Sequence, residues 1–400
     1  MRLGTGLGGL LLVVAGTASL VGCASEGSPP GLSRAELGAV VRLRGLDPAE
    51  VVQPFAIGPE PRQWLRENAR RSGSPADRLR HLLDRLMADD GLGIIYERNF
   101  TGTADEVFTS RKANCLGFMN LFVGLAREME LTAFFVAIED ASFFDREGDL
   151  VIVSDHVAAG FGSGTELLLL DFAPGPPRHY QGLRPLSDPE AVAKYYSNRG
   201  AELLREARAR EAADWLERAV KLEPGLAPSW VNLGVARRRM GDLAGAEEAY
   251  RTALELDATT ASAYQNLAAL LHLKGQDEQA LSLLALIQRL GSRNPYGYLS
   301  LGDWSLEAGR TDEARRFYQR ALALGAGTAD PGARPDRSAA AAASRQRSAE
   351  AEAAAALGEL ELGAGHPGRA RRWLRRAQRL DPAGERTARL AASLAGASAG

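Results

Sequence analysis

Between residues 74 and 190 the spacing of apolar positions changes from helical to strand-like. Ser74-Pro75-Ala76-Asp77 reads as a helix start, with proline at the first helical position and an acid in the first turn. Behind it, Leu79, Leu82, Leu83, Leu86 and Met87 share one face of a helix. Thr103-Ala104-Asp105-Glu106 has the spacing of a capping box for a short helix. Asn114 caps a third helix, whose apolar residues are Leu116, Met119, Leu121, Phe122, Leu125, Ala126 and Met129. Three β-rich runs follow at 132–139, 150–161 and 166–172, and the short glycine-containing turns between the later runs predict antiparallel hairpins. Residues 34–190 therefore read as an α+β domain.

A longer period takes over from 193 to 384. Trp230-Val231-Asn232-Leu233-Gly234, Tyr264-Gln265-Asn266-Leu267-Ala268 and Tyr298-Leu299-Ser300-Leu301-Gly302 begin 34 residues apart. Ala246, Ala280 and Ala314 keep the same step, as do Tyr250, Leu284 and Tyr318, and the turn glycines Gly241, Gly275 and Gly309. One step earlier stand Tyr196, Gly200, Ala212, Leu216, Ala219 and Pro224, and a displaced copy fits Leu357-Gly358, Gly365, Ala370, Leu374, Ala377 and Pro382. This pattern resembles the tetratricopeptide family, in which two-helix units stack because a single hairpin cannot bury its own apolar face. It implies an all-α solenoid: four repeats over 193–328, a low-complexity insertion over 329–350 expected to be a loop, a fifth repeat over 351–384, and a tail over 385–400. Its groove positions would include Val231, Val235, Arg238, Gln265, Ala269, His272, Leu299 and Asp303. The resemblance implies a protein or peptide partner in that groove, or an array that only packs on the first domain.

The N-terminus changes the setting. Arg2, the apolar stretch from Leu7 to Leu20, and small residues before a potential cut site form the three parts of a secretory signal. Leu20-Val21-Gly22-Cys23 resembles a bacterial lipobox, which implies a signal peptide over 1–22 and acyl chains such as palmitate on Cys23. Residues 23–33 would be a flexible tether. Ala24 at the second mature position favours the outer membrane, on its periplasmic face. The formal net charge of −2 gives no reason to expect nucleic acid as a partner.

Only two cysteines are present. With Cys23 acylated, Cys115 has no disulfide partner in the chain, and it falls at a helix N-terminus, where an anion is favoured by about 0.3–1 kcal/mol. A nucleophilic thiolate also needs a base, and that base an orienting acceptor. His81 lies on the helix after Ser74 and reads as a surface residue, while His179 lies in a proline-rich segment. His156 lies within the second β-run and Asp171 ends the third, so a hairpin between them brings both side chains to one face. Asp155 cannot orient its own neighbour, because consecutive strand residues point to opposite faces.

A helix-opening Cys, a strand His about 40 residues later and an Asp on the next strand, in the sense of the papain-like template, are similar to the transglutaminase-like fold. The segments that carry this likeness are Asn114-Cys115 with its helix, Ser154-Asp155-His156-Val157 and Leu169-Leu170-Asp171-Phe172, covering roughly 100–180. The resemblance implies Cys115 as nucleophile, His156 as general acid and base, and Asp171 as its orienter, in a cysteine peptidase or amide acyl transferase without cofactor or metal. Ala113-Asn114 replaces the glycine common before the family's Cys, and Ala158 the tryptophan often found after its His. The alternatives are an inert buried thiol and a non-enzymatic scaffold lipoprotein with a degenerate domain.

Overall fold

The computed structural model describes residues 31–147, 150–161, 168–172, 182–289, 295–326 and 337–397. The signal segment, Cys23, the tether through residue 30, His179 and residues 329–336 of the insertion lie outside the described residues. The chain divides into two compact units. One comprises Met1–Phe143, Val153–Met240 and Asp336–Ser338, the other Phe144–Ile152, Gly241–Pro335 and Ala339–Gly400. The change of pattern at 190–193 is thus not where the compact units part.

In the first unit, α1 (Arg34–Leu43), α2 (Pro59–Asn68) and α3 (Pro75–Met87) precede a two-stranded parallel pair of β1 (Ile95–Tyr96) and β2 (Lys112–Ala113), with α4 (Ala104–Ser110) between them. Helix α5 (Cys115–Glu128) follows, then β3 (Ala133–Glu147) and β4 (Leu150–Phe161), whose residues 144–147 and 150–152 count with the second unit, and then β5 (Leu168–Leu170) and β6 (Leu183–Pro185). These four strands form one sheet in the order β5-β4-β3-β6. β4 pairs antiparallel with β5 through Ala159↔Leu170, and β3 with β6 through Val136↔Pro185. Ser74 caps α3, Thr103 closes a reciprocal capping box on α4, and Asn114 caps α5, so the local start signals act where the sequence places them.

Every residue of α5 from Cys115 to Ala126 is buried. A helix apolar on all sides belongs inside a core, and α5 is the central member here, with Leu121 and Leu125 fully covered among Leu82, Leu86, Phe135 and Val157. Phe118 stacks on Phe172 with ring centroids 4.1 Å apart. Near the far end of α5, Arg127 forms a bidentate pair with Asp188 at 2.8 and 2.9 Å. Asp188 opens α6 (Asp188–Arg205), which is followed by α7 (Ala209–Leu222) and α8 (Ala227–Arg239). A Cβ on Gly200 would come within 2.5 Å of Leu216 Cγ, which is why a repeat requires a small residue there.

Strand β3 runs eight residues past the expected end at 139, and β6 was not apparent in the pattern. Residues 140–147 include two aspartates, which disfavour strands. β4 is the neighbouring strand in the sheet, and cross-strand pairing overrides so weak a propensity.

The second unit holds α9 (Leu243–Leu256), α10 (Ala261–Leu273), α11 (Asp277–Arg289), α12 (Pro295–Glu307), α13 (Thr311–Ala326), α14 (Arg337–Gly363), α15 (Pro367–Leu380) and α16 (Glu385–Gly396). α10 packs on α11 and α12 on α13 as hairpins. The turn glycines Gly241, Gly275, Gly309 and Gly365 all have φ between +74° and +85°, where a Cβ would crowd the following carbonyl. Ala207 occupies the equivalent turn of the first repeat with φ 59°. Two expectations change. The insertion is not a loop from 337 onward but the start of the 27-residue α14, because its alanine run has the highest helix propensity of any residue type. Residues 385–396, expected as a tail, form α16, whose Leu390 and Leu394 are buried among Ala354, Ala355, Ala370 and Ala377.

Candidate thiol site and its support

The nucleophile candidate is held by the start of α5. Arg111 ends α4 in the left-handed region, Lys112-Ala113 pair with β1, and Asn114 is extended, so the chain enters α5 with Cys115 as its first residue. Asn114 Oδ1 accepts the Gly117 N–H at 2.9 Å, and its Nδ2 donates to Thr101 Oγ1 at 2.6 Å. Thr101 in turn donates from both its hydroxyl and its backbone N–H to Glu202 Oε1, at 2.6 and 2.7 Å. Arg199 donates to the other Glu202 oxygen at 2.5 Å. A chain of hydrogen bonds, charge-assisted at Glu202, therefore runs from α6 to the residue that precedes Cys115.

His156 comes from β4 and Asp171 directly follows β5. Both are buried, at 2% and 6% exposure, and Nε2 of His156 lies 2.7 Å from Asp171 Oδ1. Burial alone would push the imidazole toward its neutral form. The charge of Cys115, hydrogen bonds with Asp171 and Cys115, and the charge of Asp171 outweigh burial and raise His156 to about 10. The imidazole thus sits between a thiol and a carboxylate. Nε2 is engaged by Asp171, and Cys115 is the other group that acts on the imidazole. Phe172 stacks on Phe118 of α5 and touches Tyr96 at 5.6 Å, which holds the end of β5 against the helix that carries Cys115.

Cys115 itself is only 4% exposed. An apolar cleft lined by Leu79, Leu83, Phe122, Ala159, Phe161 and Leu170 lies among α3, α5, β4 and β5, and none of Cys115, His156 and Asp171 lines it.

The other candidates fall elsewhere. His81 is half-buried and its Nε2 lies 3.0 Å from the Asn68 carbonyl, a structural contact between α3 and α2. His272 is exposed, pairs with Asp277 at 2.7 Å and lies 4.9 Å from the Trp304 ring. Of the groove positions, Val231, Val235, Gln265, Ala269 and Leu299 are buried, while Asp303 pairs with Arg386 at 2.6 Å. Among the described residues no cluster of three or more His, Cys, Asp or Glu could hold a metal ion, and no helix is long and apolar enough to cross a membrane.

Three buried polar residues escaped the sequence reading: Glu202, Asn232 and Asn266. The Asn232 side chain accepts from the Val153 N–H at 3.0 Å and donates to the Val153 carbonyl at 2.8 Å. Asn266 holds Val151 in the same way, at 2.8 and 2.9 Å. The signal was present, since both asparagines stand at the same position of successive 34-residue units.

Comparison with known proteins addresses the repeats. The family described as tetratricopeptide repeat matches residues 227–259. No curated protein matches the chain. A thermophilic TPR protein in Thermus thermophilus is similar at 24% identity, covering 50% of this chain and 98% of its own, with a TM-score of 0.39. MamA shares 18% identity over 46% of this chain and 94% of its own, with a TM-score of 0.34. YrrB, described as a TPR protein with an unusual peptide-binding site, shares 17% over 49% and 90%, with a TM-score of 0.32. The chain is helix-rich, and residues 227–259, which span α8 and α9, carry a tetratricopeptide repeat.

Proposed function

We propose that this protein is a tetratricopeptide scaffold of the cell envelope whose first unit carries a transglutaminase-like acyl-transfer site. The scaffold role rests on the repeat at 227–259 and on the 34-residue period that continues on either side of it. The catalytic role rests on one observation: a buried imidazole bonded to Asp171 at 2.7 Å with the thiol of Cys115 as its other charge partner.

In this reading the Cys115 thiol gives its proton to His156 and the sulfur attacks an amide carbonyl. The backbone N–H of Cys115 is one donor to the developing oxyanion. As the C–N bond breaks, His156 returns the proton to the leaving amine, and Asp171 holds the ring throughout. Water or a second amine then releases the acyl group from sulfur, giving hydrolysis or cross-linking. Acylated Cys23 would hold the protein at the membrane, since stable anchoring takes more than one acyl chain at about 0.8 kcal/mol per buried CH₂.

The low exposure of Cys115 favours a second reading, in which the pair is structural and only the scaffold is used. Iodoacetamide labelling of the full chain at neutral pH separates the two. Labelling well above that of a free peptide thiol, lost in Cys115→Ala and reduced in His156→Ala, supports catalysis. A rate equal to the free thiol and unmoved by His156→Ala leaves the scaffold alone. Metabolic labelling with an alkyne fatty acid, absent in Cys23→Ala, tests the anchor.

A further inference from the structure

We propose that the buried carboxamides of Asn232 and Asn266 clasp the edge of strand β4 in place of a strand neighbour, each within its own unit, and that Asn232 is thereby a positioning residue for His156. The second clause rests on the thiol-site reading above; the first does not.

A carboxamide side chain carries one N–H₂ donor and one carbonyl acceptor, the same pair that a neighbouring strand would offer. Asn232 and Asn266 each use both groups, on the N–H and the C=O of a single strand residue. Alternate residues of a strand present their backbone groups to the same edge, so Val153 and Val151 are two consecutive sites of one edge. Among the described residues, strand β5 pairs with β4 from Ala159 to Phe161, further along the chain. At Val151 and Val153 the asparagines do the work of a strand neighbour.

Both asparagines are fully buried, as is Val151, and Val153 is 4% exposed. Asn232 lies three residues before Val235 and Asn266 three before Ala269, so each shares a helix face with a groove position. Those positions are buried as well. Such an amide clasp reads backbone and not side chains, so it sets the path of β4 without specifying its sequence.

The clasped Val153 stands three residues before His156 on the same strand. Its hold on β4 therefore joins the bonds from Glu202 to Asn114 in bracing both halves of the thiol–imidazole pair. One acts on the strand of His156 and the other on the cap before Cys115.

Backbone amide exchange on the full chain tests the clasp without any variant. The Val151 and Val153 amides should be protected to the level of the core, and exchange as fast as in a frayed strand end overturns the proposal. Asn232→Ala should speed exchange at Val153 at least tenfold, and Asn266→Ala should do so at Val151. An unchanged rate in both overturns the clasp, whatever the reactivity of Cys115. For positioning, the readouts are the pH midpoint of His156 by imidazole NMR and the pH profile of Cys115 alkylation. Asn232→Ala should lower the midpoint and slow alkylation at least fivefold, with Asn232→Gln restoring part of both. Faster exchange at Val153 with an unmoved His156 midpoint overturns positioning while leaving the clasp. A Cys115 as slow as a free thiol in the unaltered protein counts against the catalytic reading and not against the clasp.

Discussion

Asp171→Asn is the sharpest perturbation of the candidate site, because it keeps the shape of the side chain and removes its charge. The carboxylate oxygen lies 2.7 Å from His156 Nε2, and both residues are buried. An imidazole raised from 6.5 to about 10 has its charged form favoured by on the order of 5 kcal/mol. Cys115 and Asp171 share that effect against the opposing cost of burial. Without the Asp171 charge and its charge-assisted hydrogen bond, burial gains weight, and the His156 midpoint should fall. The sign for stability follows from linkage. A group raised on folding contributes fully below its unfolded value of about 6.5, and that contribution is lost as pH climbs toward the folded value of about 10. Urea unfolding of the unaltered chain should therefore weaken steadily from pH 6.5 to 10, and Asp171→Asn should flatten the slope. Imidazole NMR across the five histidines gives the midpoint directly, with His156→Ala as the assignment control. The reasoning is refuted if the unaltered His156 titrates near 6.5, or if Asp171→Asn leaves its midpoint where it was.

Other positions make independent predictions. Ala207→Gly should stabilise the chain by about 0.5–1 kcal/mol, because Ala207 holds a left-handed conformation that its counterparts fill with glycine; a drop in the urea midpoint contradicts this. Gly302→Ala should cost about 1–3 kcal/mol by overpacking, since the added Cβ runs into the ring of Tyr318, measured as a lower thermal midpoint. Arg386→Met should cost about 1–3 kcal/mol, because Asp303 and Glu359 lose the guanidinium that bonds them at 2.6 and 2.8 Å while staying partly solvated. Calorimetry at low and high salt checks it, and a loss that salt erases would mean the pairs act as ordinary surface bridges.

Local chemistry was readable in advance. Ser74, Thr103 and Asn114 start helices because a side-chain oxygen next to an apolar periodic run meets unpaired N–H groups, and both halves of that signal are adjacent in sequence. The 34-residue period was readable for the same reason, as a local packing rule repeated. The extension of β3 was not, because aspartates at 140 and 145 argue against a strand until a neighbour pairs with them. Glu202 looked like one more acid on a polar helix face. Its role appears only when Thr101, 101 residues earlier, is brought to its carboxylate. Asn232 sits inside a repeat motif, and nothing in a helix pattern shows that an extended segment 79 residues upstream lies beside it. The helical part of the insertion was legible only in its alanines, whose propensity is high but says nothing about where a helix starts.

The dependence of Asn114 on Glu202, and of Val153 on Asn232, bears on how such a gene can be cut and rejoined. A cut placed where the sequence pattern changes would fall near residue 190. A crossover there would leave behind the carboxylate under Thr101 and the amide on β4, two buried groups whose partners would then go unsatisfied. The heritable piece is therefore longer than the α+β pattern suggests. It must carry α6 through α10 with it, because Asn266 on α10 holds Val151 as Asn232 on α8 holds Val153.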